Sequence, residues 1–188
     1  MGHEYIELKN PEAAIEAYRH AVDVNALDYR ASYGLGQVYQ ILKMTRFALY
    51  YYQQAAAIRP YDPRMHCAVA QCYETLGRSP EAIRCYERAV ASGDREGIAL
   101  ARLAALHDSL QQASKAAYYY KVNLERLIEQ GVQSQDRVDA LLYLARHCVQ
   151  INRLRDAEAY CYALLDYTGP EKELGKALLS EIHSKIKM

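Results

Sequence analysis

Tryptophan is absent from this chain of 188 residues and phenylalanine occurs once, whereas tyrosine occurs 18 times. Aromatics that are almost all tyrosine suit packing positions with one wet edge, as in a thin structure where few side chains lie far from water. Charge of one sign is also lacking. Lys plus Arg and Asp plus Glu each number 23, so no global field draws nucleic acid or an acidic membrane, and neither is expected as a partner. No apolar run approaches about 18 residues, and the first residues lack the basic-then-apolar pattern of a secretory leader. Cys67, Cys72, Cys85, Cys148 and Cys161 form no CxxC pair, and their spacing does not suit zinc. They read as small buried side chains in a reducing compartment. These absences predict a soluble intracellular chain with no metal and no cofactor, and a hydrophobic share of 51% is enough for a continuous core.

What the chain does have is a repeat. Leu35-Gly36 and Tyr39 are followed by Ala48, Tyr52, Ala55 and Pro60. Val69-Ala70 and Tyr73 are followed by Ala82, Tyr86 and Ala89, with Asp94 in the place of the proline. Gly36 and Ala70 lie 34 residues apart (70 − 36), as do Gly2 and Gly36 (36 − 2) and Ala70 and Ala104 (104 − 70). That is the period of the tetratricopeptide repeat, a pair of antiparallel helices that cannot bury its apolar face alone and so stacks on its neighbours. The fold class expected is all-α, a right-handed superhelix of the α-solenoid type. Small residues at Gly36, Ala48, Ala70, Ala82, Ala104, Ala116, Ala145 and Ala157 should be buried where helices meet.

Taken in order, residues 1–28 read as a partial repeat, beginning in the middle of a first helix. This suggests a C-terminal fragment or a gene model truncated at an internal methionine, since terminal units of an array need polar caps. Asn10-Pro11-Glu12 is a helix start. Repeats follow over 29–62 and 63–96, with helices expected near 30–42, 46–58, 64–76 and 80–92. Gly77 should close one helix, and Ser79-Pro80-Glu81 should cap and open the next. The repeat over 97–137 has His107 at the tyrosine position. It carries seven extra residues, because Ala145 lies 41 beyond Ala104 (145 − 104), which predicts an extended second helix ending near Gly131. Ser134 or Asp136 should cap the helix that follows. A last repeat over 138–170 leads to a capping helix over 171–188, with Leu174, Leu178, Leu179 and Ile182 covering the final apolar face.

Catalytic arrangements are not apparent. His147-Cys148 is the one adjacent His/Cys pair, and neighbours on a helix point about 100° apart. Gly34-Leu35-Gly36 follows no strand and lacks the third glycine of a dinucleotide loop. In Tyr50-Tyr51-Tyr52 and Tyr118-Tyr119-Tyr120, Tyr52 and Tyr120 are core positions, and the others are expected between helices. The inner face of the first helices remains as a groove. Counting from each repeat start, its lining should be His3 and Ile6; Arg30, Tyr33, Gln37 and Gln40; Arg64, Cys67, Gln71 and Glu74; and Ile98, Ala101, Ala105 and Asp108. Amides suit the backbone of an extended peptide, and Glu74 or Asp108 suits a basic side chain on it.

Surface and loop residues carry a narrower likeness. Residues 1–10, Ala14 to Ala21, Asp28 to Ala31, Tyr33 to Gln37, Tyr39 to Met44, Leu49 to Tyr52, Arg59-Pro60, Ala91 to Asp94 and Glu173 to Leu179 resemble one family. It is that of subunit eight of the anaphase-promoting complex (cyclosome), the cell division cycle protein twenty-three family, in its C-terminal repeats. The resemblance implies a non-catalytic scaffold of a ubiquitin ligase in nucleus and cytoplasm, acting on mitotic regulators. It implies other subunits as partners and a groove that takes the N-terminal motif of a coactivator, centred on Arg-Tyr-Ile-Pro. It also implies homodimers formed through N-terminal repeats that this chain lacks. Ser32 stands where the family usually has tryptophan, and Gln40 where an acid is expected. The alternative is a generic peptide-binding adaptor such as a chaperone co-factor, for which Arg30 and Arg64 would have to clamp a carboxylate.

Overall fold

The computed structural model describes Gly2, Tyr5 and residues 10 to 186. Among the described residues there is no strand. Among residues 10 to 186, ten helices follow one another: α1 (Pro11–Val24), α2 (Tyr29–Ile41), α3 (Thr45–Ile58), α4 (Pro63–Thr75), α5 (Ser79–Ala91), α6 (Ile98–Ser109), α7 (Ala113–Glu129), α8 (Gln135–Gln150), α9 (Leu154–Leu164) and α10 (Pro170–Ile186). The chain divides into two compact units, residues 1–99 and 100–188.

In the first unit α2 packs on α3, α3 on α4 and α4 on α5, with α1 against α2. Helix starts follow from local chemistry. The Asn10 side chain accepts from the Ala13 N–H at 3.2 Å, with Pro11 in the first turn. Asp28 and Asp62 accept from the N–H groups of Arg30 and Arg64, each at 3.0 Å. Each side chain satisfies a donor that the helix itself leaves orphaned, which contributes about 0.5–2 kcal/mol.

Helix ends repeat as faithfully. The Lys43 N–H donates to the Gln40 carbonyl and that of Met44 to the Tyr39 carbonyl; Gly77 and Arg78 do the same to Glu74 and Tyr73. Gln111 with Gln112, and Asn152 with Arg153, repeat the pattern in the second unit. This is the Schellman closure, whose middle residue is left-handed. Gly93 with Asp94 and Gly131 with Val132 close their helices in the same way. The φ values are 60° at Lys43, 71° at Gly77, 81° at Gly93, 58° at Gln111, 64° at Gly131 and 60° at Asn152, so among the described residues glycine fills three of six such closures.

The eight small residues expected at helix contacts are all buried. Between them sit tyrosine rings, Tyr52 and Tyr86 each 1% exposed. A Cβ on Gly36 would lie 2.5 Å from the Tyr52 ring, so the helices meet at a distance that only hydrogen at that position permits. Ser32, at the position where tryptophan was expected, is buried as well.

In the second unit α7 is 17 residues long against 14 for α3, and the added length buries Leu124 and Leu127. Leu124, Val138, Leu141, Leu144 and Leu164 form one core cluster; Ala145, Cys148, Ala157, Cys161, Leu179 and Ile182 form another. His107 is buried, stacked on Tyr119 at 5.3 Å and 3° between planes, with Nδ1 2.9 Å from the Gln112 side-chain oxygen.

Several local expectations are corrected. Ser79 is the first helical residue rather than the cap. Arg78 holds the cap position because the last residue of the Schellman closure also begins the next helix, and its side chain bonds Glu81 instead. Ser134 occupies the cap position of α8 but makes no capping bond, and Asp136 lies in the first turn. Leu174 is exposed, because Gly175 is the residue that faces Leu164. Tyr50 and Tyr118 point to solvent, while Tyr51 stacks on Tyr39 and Tyr119 on His107.

Two outcomes are expected. Gly36→Ala should lower stability in urea unfolding by about 1–3 kcal/mol, because the methyl must displace the Tyr52 ring; an unchanged or raised midpoint would contradict that contact. Lys43→Gly should raise stability by up to about 1 kcal/mol, by relieving a left-handed side-chain residue. A lower midpoint for this variant would show that the Lys43 side chain stabilises the turn.

Candidate peptide groove

In the first unit the residues expected to face the groove lie on α2 and α4. His3 and Ile6 lie outside the described residues. Ala101, Ala105 and Asp108 belong to the second unit, where the Tyr143 hydroxyl bonds Asp108 and is pushed up to about 12, mainly by burial. Ile98 is exposed near the end of the first unit. The geometry that can be built from contacts is therefore that of Arg30, Tyr33, Gln37, Gln40, Arg64, Cys67, Gln71 and Glu74.

The two arginines are engaged locally. Arg64 donates from Nε and Nη2 to the two oxygens of Asp62, at 3.0 and 2.7 Å, and Arg30 lies 3.5 Å from Asp28. Hydrogen bonding from Arg64 holds the Asp62 carboxyl below the usual carboxylate range. Each pair joins a helix-capping Asp to the residue two positions on, so the capping requirement itself ties down the cation. A carboxylate clamp would need these two cations turned into the groove. The adaptor reading is weakened accordingly.

Aromatic and amide groups form a connected line. The Tyr33 ring is half-buried, tilted 50° to Tyr52 with centroids 5.2 Å apart, and burial raises its hydroxyl pKa. The Tyr52 hydroxyl donates to Gln40 Oε1 at 2.7 Å, and Gln40 Nε2 donates to Gln71 Oε1 at 3.1 Å. One repeat on, the Tyr86 hydroxyl donates to Glu74 Oε2 at 3.0 Å. Tyr52 and Tyr86 fill the core with their rings and present their hydroxyls to the groove line. Sequence reasoning put Gln40 and Glu74 on that line and took both as free to meet a ligand, and it missed the two hydroxyls. The signal was present: each tyrosine follows its partner by 12 residues.

Gln37 is half-buried, and so is Cys67, whose thiol is pushed up to about 12 by burial, with Asp94 and Glu96 adding to the shift. A thiol so strongly protonated is no nucleophile at neutral pH. Beside Asp62 and Arg64 lies an open recess of 510 Å³ that also takes in Arg59, Asp94, Arg95 and Glu96, with mixed charge. The arrangement offers polar hydrogen-bonding groups, one acid held in place and an aromatic wall. It can hold an extended chain and assembles no nucleophile with a base.

Residues 1–63 and 70–122 match the tetratricopeptide repeat model, and the chain belongs to this family of helical repeat proteins. Its fold is all-α and of the α-solenoid type. More particularly, it is similar to Anaphase-promoting complex subunit 8. Over 95 residues it is 53% identical to that protein of Dictyostelium discoideum, covering 50% of this chain and 16% of that one. Over 89 residues it is 49% identical to that of Arabidopsis thaliana, covering 47% and 15%. The matched stretch thus spans about a sixth of the length of these relatives. Among solved structures, YrrB, described as a TPR protein with an unusual peptide-binding site, superposes with a TM-score of 0.71 at 16% identity, over 93% of this chain and 86% of its own; this likeness concerns the fold alone. Among the described residues no helix is long and apolar enough to cross a membrane.

Burial pushes the Tyr52 hydroxyl well above its ordinary pKa of 10.0. Folding therefore favours the neutral phenol. Its contribution is complete below pH 10 and is lost as pH rises from there toward the folded value, at about 1.4 kcal/mol per pH unit. Urea unfolding across this range should show a steeper alkaline loss for the natural chain than for Tyr52→Phe, which cannot ionise. Equal slopes would mean that Tyr52 reaches water in the folded chain.

Proposed function

We propose that the chain is a non-catalytic scaffold segment of the anaphase-promoting complex ubiquitin ligase. In this reading its repeats contact neighbouring subunits, and the groove of the first unit holds an extended coactivator peptide in support of the ubiquitination of mitotic regulators, in nucleus and cytoplasm. The observation that carries it is identity of about one half to subunit 8 of two organisms. That level exceeds what a shared repeat pattern demands, since the pattern constrains only the small and aromatic packing positions.

Residues 29–62 and 63–96 are read as the two complete repeats of the groove. Gln71 presents its amide to the peptide backbone, Tyr33 forms an aromatic wall, and the Glu74 carboxylate, held by Tyr86, draws the arginine of an Arg-Tyr-Ile-Pro motif. An arginine–carboxylate pair in a partly dry groove contributes about 1.5–3 kcal/mol.

The test is titration of a fluorescent Arg-Tyr-Ile-Pro peptide. Glu74→Gln is the informative variant, because its amide oxygen still accepts from Tyr86 while the charge is gone. It should bind about 10- to 150-fold more weakly. Tyr33→Ala should also weaken binding, and Gln54→Ala, on the exposed side of α3, should not. Equal affinities for all three would make the chain a structural spacer instead.

A further inference from the structure

Large apolar side chains are exposed together at the turn between α2 and α3. Ile41, Leu42, Met44 and Phe47 are 58%, 38%, 41% and 53% exposed. Met44 and Phe47, with Leu76 from the next repeat, line a recess of 330 Å³ flanked by Lys43 and Arg46. Phe47 is the one phenylalanine of the chain. It is held from beneath: its ring stacks on Tyr39 at 5.3 Å, Tyr39 stacks on Tyr51 at 5.5 Å, and Arg19 donates to the Tyr39 hydroxyl at 3.0 Å. A side chain already fixed in place loses little entropy when a partner covers it.

The charge at this turn sets it apart from its equivalents. Lys43 and Arg46 have no ion-pair partner among the described residues. At the next turn glycine stands at the position of Lys43, and Arg78 is paired with Glu81; at the last, Arg153 is paired with Asp156. The fold thus does not require an uncompensated cation pair beside an open apolar recess.

We propose that this recess docks a short segment of a partner protein in which one bulky apolar side chain is flanked by Asp or Glu. The apolar side chain enters between Met44, Phe47 and Leu76, and the carboxylates meet Lys43 and Arg46. Charge complementarity favours such a partner over a second copy of this chain, because a twofold contact would bring the same cations face to face. The surface shares no residue with the groove line, so it stands or falls independently of the coactivator reading.

The experiment is selection of a displayed library of random twelve-residue peptides on the chain, with counter-selection on the double variant Lys43→Glu, Arg46→Glu. The enriched peptides should carry Leu, Phe or Met next to acidic residues. Synthesised and titrated, they should bind the double variant and Phe47→Ala at least tenfold more weakly, bind Glu74→Gln as well as the natural chain, and lose affinity as salt rises. Circular dichroism should show the variants folded; should Phe47→Ala prove unfolded, Met44→Ser takes its place. Three results would each overturn the proposal: no enrichment, enriched peptides without acidic residues, or a dimer in sedimentation that the double variant dissolves.

Discussion

The structure depends on one contact: a tyrosine from the second helix of a pair, seated against a residue too small to push it away. Tyr52 over Gly36 shows the constraint most sharply, since even a methyl on Gly36 would fall within the ring's van der Waals reach. Burying an aromatic ring yields a large hydrophobic gain, but only if the helix behind it comes close enough to exclude water. The small residues let it do so, and the ring then fills the space between the axes. The contact suits tyrosine: the ring is buried while its hydroxyl finds a polar partner, Gln40 for Tyr52 and Glu74 for Tyr86.

That hydroxyl links fold to function. Once the ring is fixed, the hydroxyl has one place to go, and it takes Gln40 in one repeat and Glu74 in the next. The inner face is therefore a set of polar groups tied to core tyrosines rather than a row of independent side chains. A ligand meeting this face meets groups whose directions are already set, and this preorganisation is what a shallow groove needs to bind a flexible chain without a deep pocket. The capping aspartates act in the same spirit, drawing Arg30 and Arg64 to themselves and leaving the groove less basic than its composition suggests.

Likeness to subunit 8 and the structural logic of the repeat operate at different levels. Packing explains why Gly36, Ala70 and Tyr52 are what they are, and any member of the tetratricopeptide family would satisfy it. It does not explain Lys43 in a left-handed turn or Phe47 half in water, both of which cost the isolated chain something. Residues of that kind carry what is particular to this protein.

The sequence by itself determined the helices, their pairing and the eight small contact residues, because a period of 34 residues ties each position to an equivalent one and packing of neighbours is a local demand repeated along the chain. It also suggested which residues share one face of each first helix, since helical spacing sets direction. Tertiary structure alone decided what those residues are free to do. Gln40 and Glu74 read as unengaged until a tyrosine 12 residues away is folded back onto each, and Leu174 reads as core until Gly175 proves to be the residue that meets Leu164. The apolar recess at Phe47 was likewise invisible, because it needs Leu76 brought alongside from the next repeat. Periodicity specifies which face a side chain takes; hydrogen bonds and close approach between helices depend on distances that no spacing along the chain contains.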